Sequence, residues 1–338
     1  MIRKICEEKI KKKLAFILPT CNRAASIHFY LEQQLDAFAD CKIDVIVFDS
    51  SDTNETKKVV DSFQKQGKKN LFYHFYKEED VDRRSIDRKV YTACRMYAAQ
   101  YEYLWVSSDS TVFLISKFWE ELKSAMIEKC DYIVLHHIQE KYPQGRQYQD
   151  SRTFLLEYSW VMTLLGANII ATRHLLQAIQ KYPVISGEDF WFWIPMSIFH
   201  LFANKRINAK VLVCPSPYIM NPDRKDPFWK QSGDVLWQWA KIWPKAVDAL
   251  PPYYNGIKEH IIRLQEENMH LFTIKNLLSM RACGQISLQN VRKYRKYLPR
   301  VTKTPIFCFY CITILGNQRL LMWMKRFYKA IRAKGEHI

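Results

Sequence analysis

The sequence predicts an α/β fold: a doubly wound, mostly parallel sheet flanked by helices. Two features of residues 14–138 carry this prediction. Short apolar runs without polar alternation recur, as in strands buried on both faces, and a stretch with apolar residues at helical spacing follows most of them. Strands joined by crossovers of this length favour parallel pairing, and repeated strand–helix alternation is typical of doubly wound sheets.

The first strand, helix and second strand occupy residues 14–48. An apolar run from Leu14 to Leu18 predicts the first strand, which stops at Pro19. Apolar residues recur at helical spacing from Ile27 to Phe38, and the apolar run from Ile43 to Phe48 predicts the next strand. The same patterns predict the elements that follow: helices over 53–63 and 85–99, a helix capped by Ser116, and strands over 71–76, 101–106 and 132–138.

Polar side chains follow three of the predicted strands at their carboxyl ends. Thr20, Asn22 and Arg23 come after the first strand, Asp49 ends the second, and Asp109 follows the fourth. The carboxyl ends of parallel strands lie at one edge of a sheet, and open α/β sheets bind their ligands at that edge. The sequence therefore predicts a ligand site there.

The positive charge of the chain is concentrated in its last quarter. The 338 residues carry a formal net charge of +17, and residues 268–335 contain fourteen Lys or Arg without any Asp or Glu. Such a region needs an anionic partner, either nucleic acid or an anionic membrane surface. Drawn as a helix, Arg319–Lys334 separates aromatic and apolar residues from basic ones, which favours a helix lying in the lipid headgroup layer. The alternative is a surface helix packed on its own domain.

Cysteine usage and apolar run lengths indicate the compartment. The nine cysteines form no disulfide framework and favour free thiols in a reducing compartment. The C-x-x-C from Cys308 to Cys311 lies in an apolar run and is expected to pack rather than to hold metal. Neither the run after the charged first residues nor segment 306–315 reaches the ~20 residues that a membrane crossing needs. We therefore expect a cytoplasmic protein, peripheral at the inner face of the cell membrane.

Several common enzyme motifs do not occur in the sequence. It has no G-x-G-x-x-G, no G-x-x-x-x-G-K-[ST] and no G-x-S-x-G, and only nine glycines from which to build a phosphate-binding loop. Dehydrogenase, P-loop NTPase and serine hydrolase functions are therefore disfavoured.

Four short motifs occur at the predicted strand ends and before a late helix. They are Pro19-Thr20-x-Asn22-Arg23, Asp49-Ser50-Ser51-Asp52, Trp105-Val106-Ser107-Ser108-Asp109-Ser110 and Gly187-Glu188-Asp189-Phe190-Trp191. In this order they resemble the nucleotide-sugar-dependent glycosyltransferases of family 2, over residues 12–200. The resemblance implies the GT-A fold, a Rossmann-like catalytic domain over residues 1–220, with residues 221–338 as a helical, basic extension.

On the donor side, the resemblance implies nucleotide contacts and a metal ion. The residues implied as nucleotide contacts are Thr20, Asn22, Arg23, Asp49 and Arg88. An exposed helix turn explains Arg88 equally well, and the carboxylate of Asp49 suits a uracil edge. The leaving diphosphate gains negative charge, which a divalent cation, Mn²⁺ or Mg²⁺, held by Asp109 would balance. Family members usually carry two or three acids at this strand end, where Ser107, Ser110 and Thr111 surround Asp109.

On the acceptor side, the attacking hydroxyl must lose a proton, and a carboxylate within reach would act as general base. The resemblance implies this role for Asp189 and an acceptor contact for Glu188. From the residues alone, Asp189 or Ser186 would merely cap the apolar helix predicted over 190–202. Gly166 would let the chain pass close to a sugar or turn a corner.

The resemblance implies that the protein is a glycosyltransferase that inverts the configuration at the transferred sugar. It would move a sugar from a nucleotide donor, with UDP favoured, to a glycan, glycolipid or glycoprotein acceptor in cell-surface polysaccharide or glycoconjugate synthesis. Its partners would then be the donor, the acceptor and an anionic membrane, with no nucleic acid expected. The alternatives are a catalytically silent scaffold of the same fold and a basic nucleic-acid-binding protein.

Overall fold

A computed structural model of the chain describes residues 12–77, 86–109, 111–136, 145–183, 192–214 and 235–323. These residues belong to two compact units. The first falls within Met1–Phe154 and Val161–Arg224, and the second within Leu155–Trp160 and Lys225–Ile338.

The first unit is organised around an eight-stranded sheet with the strand order β3-β2-β1-β4-β7-β5-β8-β6. The strands are β1 (Lys12–Thr20), β2 (Asp44–Asp49), β3 (Leu71–Phe75), β4 (Tyr101–Val106), β5 (Tyr132–His136), β6 (Gln147–Asp150), β7 (Asn168–Ala171) and β8 (Arg206–Val213). Strands β1 to β4 are parallel, as are β5 and β8. Strand β7 runs antiparallel between β4 and β5, and β6 pairs antiparallel with β8. The predicted α/β fold with a mostly parallel sheet is confirmed.

Helices connect these strands. They are α1 (Ala24–Asp40), α2 (Glu55–Lys65), α3 (Ile86–Tyr97), α4 (Trp119–Ile127), α5 (Ser151–Met162), α6 (Thr172–Lys181) and α7 (Trp193–Phe202). Helices α1 to α4 and α7 lie close to the predicted positions, whereas α5 was not predicted. The prediction that Ser116 caps a helix is wrong. Ser116 lies inside a 3₁₀ turn, Ile115–Lys117, and α4 begins only after Phe118, without a side-chain cap.

A cluster of aromatic residues fixes β1, β4 and α1 against each other. The ring of Phe16 on β1 lies 4.8 Å from that of Trp105 on β4, in an edge-on arrangement, and 4.9 Å from that of Phe38 on α1. All three side chains are fully buried. Large buried aromatics contribute strongly to core stability. The polar residues at the ends of β1 and β4 are therefore carried by a rigid core.

Two strands were missed by the sequence analysis. Strand β6 is polar, and only Tyr148 is buried in it, because it lies at the edge of the sheet. Strand β7 has only four residues and lies inside an apolar stretch whose pattern does not separate strand from turn.

The second unit is helical over 235–323, as predicted. Its helices are Trp243–Asp248, Lys258–Met269, Ile274–Ala282, Leu288–Tyr294, Leu298–Val301 and Ile306–Leu315, with a π-helical stretch at Trp237–Ile242 and 3₁₀ turns at Pro252–Ile257. None of the helices in the described part of the chain is both long enough and apolar enough to cross a membrane. Cys308 and Cys311 are partly buried free thiols on the last of these helices.

The spacing of Ile261, Leu264 and Leu271 predicts one helix over Ile257–Leu278, and this prediction is wrong. The helix ends at Met269 because His270 adopts a left-handed backbone conformation with φ 51°. The carboxylate of Glu266 accepts the backbone N–H of Phe272 at 3.0 Å, which holds the reversal in place. Burial raises the pKa of Glu266 to about 7, although this backbone hydrogen bond acts in the opposite direction.

Candidate active site

The carboxyl ends of β1 and β2 are tied together by polar side chains. Thr20 is the register partner of Asp49, and two residues later Asn22 adopts a left-handed conformation with φ 53°. The side chain of Asn22 donates to the Asp52 carboxylate at 2.8 Å and accepts the Asp52 backbone N–H at 3.0 Å. Asparagine tolerates this backbone conformation better than most residues. Asn22 therefore connects the two loops, and its predicted nucleotide contact stays a prediction.

Asp109 lies at the centre of this edge and is only 3% exposed. Its Oδ1 forms an ion pair with Nη1 of Arg23, and its Oδ2 accepts the Thr20 hydroxyl at 3.1 Å. Burial raises the pKa of the Asp109 carboxyl above its ordinary value, although Arg23, Thr20 and Lys89 act in the opposite direction. The structure thus brings together three residues that the sequence analysis singled out.

Lys89 of α3 completes this group, and the sequence analysis missed it. Its Nζ donates to the carbonyl oxygen of Thr20 and to Oγ of Ser50, the latter at 2.7 Å, and the side chain is buried. Burying an ammonium group is costly unless polar groups compensate it. The sequence did contain a signal for Lys89 as a site residue: it is a lysine on the predicted inward face of a helix, beside the apolar residues Val90 and Ala93. We call Thr20, Arg23, Lys89 and Asp109 the strand-end cluster.

Arg23 retains unused hydrogen-bond donors. Its Nε and Nη2 are buried and have no hydrogen-bond partner among the residues that the structure describes. Leaving a buried donor unsatisfied costs about 1–3 kcal/mol. An anionic ligand that accepted hydrogen bonds from both nitrogens would offset this cost.

Asp49 is fully buried, and both of its carboxylate oxygens accept hydrogen bonds. Oδ1 accepts the backbone N–H and the hydroxyl of Ser51, and Oδ2 accepts the Tyr73 hydroxyl at 3.0 Å. Burial and this contact raise the pKa of Tyr73. A nucleotide base would reach Asp49 by sharing Oδ2 with Tyr73 or displacing it, and its base contact stays a prediction.

Asp87 and Arg88 are neighbours on α3 with different surroundings. The buried carboxylate of Asp87 accepts the backbone N–H groups of Trp193 at 2.7 Å and Phe192 at 3.1 Å, where α7 begins. Burial raises the pKa of Asp87 to about 6, although these two hydrogen bonds lower it. Arg88 is half-buried, and its role at the nucleotide stays a prediction.

The predicted acceptor-side pair, Glu188 and Asp189, lies outside the described residues. The described chain resumes at Phe192. Asp87 already accepts the N–H of Trp193, and Pro195 has no N–H to offer, so the first turn of α7 has little need of another cap. This observation weakens the interpretation of Asp189 as a capping residue only.

Gly166 lies against the end of β4. A Cβ atom there would be 2.7 Å from Oγ of Ser107 and 2.8 Å from Cζ of Phe113, closer than side chains normally approach. The indole N–H of Trp105 donates to the Gly166 carbonyl at 2.8 Å. Gly166 therefore permits close packing of residues 165–167 on the strand that leads to Asp109.

The donor set around Asp109 fits a divalent cation poorly. Mg²⁺ and similar hard cations are usually held by one or two carboxylates together with phosphate oxygens and water. Both oxygens of Asp109 already accept hydrogen bonds, and two cationic side chains stand beside it. Across the described ranges, no group of three or more His, Cys, Asp or Glu side chains could hold a metal ion.

Comparison with known proteins places this site in a recognised fold. No protein-family model and no curated protein sequence matches the chain. Residues 1–349 of TarS from S. aureus match with a TM-score of 0.51, covering 89% of this chain and 90% of that one at 13% identity. A second TarS structure, solved with UDP-GlcNAc, matches with a TM-score of 0.52 at 14% identity, covering 88% and 83%. The mannosyltransferase PcManGT from Pyrobaculum calidifontis, solved with GDP-Man and Mn²⁺, has a TM-score of 0.50 at 14% identity, covering 91% and 88%.

The chain has the GT-A fold. This confirms the fold predicted for the first part of the sequence. The GT-A sheet places the strand-end cluster at the carboxyl ends of β1 and β4, the edge where α/β sheets bind their ligands. Two cationic side chains and one carboxylate at that edge suit an anionic ligand such as a diphosphate.

Proposed function

We propose that this chain is a glycosyltransferase that takes a sugar from a nucleotide-sugar donor. The strand-end cluster carries the proposal, because it sets one buried cationic side chain, Lys89, and one partly buried one, Arg23, at the ligand edge of a GT-A sheet. Arginine binds phosphate oxygens through paired hydrogen bonds, and Arg23 has two unused donor nitrogens. Proteins with this fold were solved with UDP-GlcNAc and with GDP-Man, which supports a nucleotide-sugar donor.

The proposed reaction inverts the configuration at the anomeric carbon. The acceptor hydroxyl attacks that carbon as the bond to the diphosphate oxygen breaks, and the bonding electrons leave with the diphosphate. Asp189 takes the proton of the hydroxyl, and Glu188 contacts the acceptor.

We propose a UDP-linked donor, since Asp49 suits a uracil edge. The proposed acceptor is a glycan, glycolipid or glycoprotein in cell-surface polysaccharide or glycoconjugate synthesis. The expectation of Mn²⁺ or Mg²⁺ at Asp109 draws support from the Mn²⁺ of PcManGT, and the donor set at Asp109 opposes it.

Nucleotide binding tests this proposal directly. We expect UDP or GDP to raise the thermal unfolding midpoint, since a ligand at a hundred times its Kd stabilises the folded state by about 2.7 kcal/mol. Differential scanning fluorimetry with UDP, GDP and AMP would measure the shift, with AMP as the control that lacks a diphosphate. If neither diphosphate shifts the midpoint more than AMP does, the proposed function is wrong.

We also propose that the C-terminal region binds an anionic membrane surface at the inner face of the cell membrane. Large apolar side chains are exposed there: Ile274, Leu278, Phe307, Ile314, Leu315, Leu320 and Trp323. Phe307 is 73% and Leu315 79% exposed. The same region, residues 268–335, has fourteen basic residues and no acidic one. Exposed apolar side chains next to basic ones suit a lipid headgroup layer, and the predicted helix Arg319–Lys334 is described only as far as Trp323.

Vesicle co-sedimentation tests the membrane proposal. We expect the protein to bind vesicles containing phosphatidylserine and not pure phosphatidylcholine. The double variant Phe307→Ser/Leu315→Ser should bind at least about tenfold more weakly, because each apolar side chain contributes about 1.5–3 kcal/mol when it leaves water. Ile127→Ser is the matched control, since Ile127 is 68% exposed on α4 of the first unit. Equal binding by the double variant and wild type would contradict the assigned surface.

A further inference from the structure

The position of Asp109 raises the question of which cation neutralises the leaving diphosphate. In the GT-A relative PcManGT, the nucleotide sugar was solved together with Mn²⁺. In this chain the Asp109 carboxylate, for which the sequence predicts metal binding, is 3% exposed and ion-paired with Arg23. A divalent cation bound to Asp109 would have to share these carboxylate oxygens with Arg23 and the Thr20 hydroxyl or displace those groups.

Electrostatics also opposes a divalent cation at this point. Arg23 contacts Asp109, and Lys89 lies near enough for its charge to act on the same carboxylate. Two unit charges 4 Å apart interact by about 4 kcal/mol near a protein surface, and a divalent ion doubles the repulsion from each cation. Arg23 and Lys89 therefore already supply, beside Asp109, the positive charge that a divalent ion would supply.

The same side chains are arranged to serve an anion instead. Lys89 is held in place by two neutral oxygen atoms, the Thr20 carbonyl and the Ser50 hydroxyl. Arg23 directly precedes α1 and is anchored through Nη1, while its buried Nε and Nη2 have no acceptor in the described part of the chain. A diphosphate offers oxygens that accept paired hydrogen bonds from such a fork.

We propose that Arg23, supported by Lys89, supplies the positive charge for the nucleoside diphosphate in place of a divalent cation. Asp109 then acts as a positioning residue, which orients the guanidinium instead of coordinating metal. This inference rests on the proposed function, because it concerns the same donor site. It predicts that nucleotide binding is independent of divalent cations.

Isothermal titration calorimetry of the full chain with UDP and GDP, in EDTA and in MnCl₂, tests this inference. We expect the affinity for the preferred nucleotide to agree within about threefold between the two buffers, because no metal contributes to binding. Binding that is present in MnCl₂ and lost in EDTA would overturn the inference and leave the proposed function standing. Absence of binding in both buffers would contradict the proposed function, and the inference with it.

Substitution of Arg23 provides a second test of the inference. In EDTA, Arg23→Met should weaken binding by at least about tenfold, the effect of losing charge-assisted hydrogen bonds, and Arg23→Lys should recover part of the loss. Arg95→Met is the matched control, because Arg95 is an exposed arginine on α3. Thermal melts of each variant report folding. Unchanged affinity in a folded Arg23→Met variant would overturn the inference.

Discussion

Asp189→Asn should abolish sugar transfer while nucleotide binding stays within about twofold of wild type. General base catalysis contributes about 10²–10⁴-fold to such reactions, and an amide cannot accept the proton of the acceptor hydroxyl. Initial rates of nucleotide release with a saturating acceptor, together with calorimetry of nucleotide binding, would measure both quantities. A large loss of kcat without loss of donor affinity identifies an interaction that operates in the transition state.

The matched control for this variant is Ser186→Ala, which removes another candidate cap of α7 and should leave transfer unchanged. Asp189→Ala separates the two interpretations of the carboxylate. If Asp189 merely caps α7, its removal should cost about 1 kcal/mol of unfolding free energy. We expect no such loss, because Asp87 already accepts the first backbone N–H groups of that helix. Turnover by Asp189→Asn equal to that of wild type would show that another group is the base.

The second large effect is expected at Asp87. Asp87→Ala leaves the buried N–H groups of Phe192 and Trp193 without an acceptor, which should cost about 2–4 kcal/mol of unfolding free energy. Because α7 begins soon after Asp189, kcat should fall as well. Urea denaturation and initial rates would measure the two effects. The surface variant Asp61→Ala on α2 is the control, and equal stability of Asp87→Ala and Asp61→Ala would contradict the role of Asp87.

The raised pKa of Asp87 makes its contribution depend on pH. The carboxyl titrates near pH 3.9 in an unfolded chain and at about 6 in the fold, so between these values the folded state holds a proton that the unfolded state has lost. Stability from this group is therefore greatest below about pH 4 and falls as the pH rises to about 6. The fall is about 3 kcal/mol at most, from roughly two pH units at 1.36 kcal/mol each. Asp87→Asn keeps an acceptor and lacks this slope, so denaturation curves at several pH values should diverge; parallel curves would contradict the assignment.

Sequence patterns identified the part of the site that lies at strand ends. Thr20, Arg23 and Asp109 were found because buried runs end visibly at polar residues, and parallel pairing brings such ends together. Lys89 was not found, because a helical pattern shows which face is inward and does not show what lies opposite one residue. The link between Asp87 and α7 joins residues more than 100 positions apart, and no local pattern contains it.

The errors in the fold have local physical causes. The break at His270 was missed because histidine carries no glycine-like signal for a left-handed turn, and a carboxylate on the preceding helix holds it. Strand β7 was missed because its four apolar residues do not separate strand from turn, and its direction depends on the path of the whole chain.

The reversed direction of β7 brings the residues that precede it to the same edge of the sheet as the strand-end cluster. Because β7 runs against β4, Ile169 stands beside Trp105, and the 3₁₀ turn Leu165–Ala167 lies against the end of β4 that leads to Asp109. Thr20, Asp49 and Asp109, by contrast, end or follow parallel strands. Under the proposed function, changes in this turn would alter the surface that an acceptor meets while the strand-end cluster keeps its geometry, so the two specificities would be free to diverge independently.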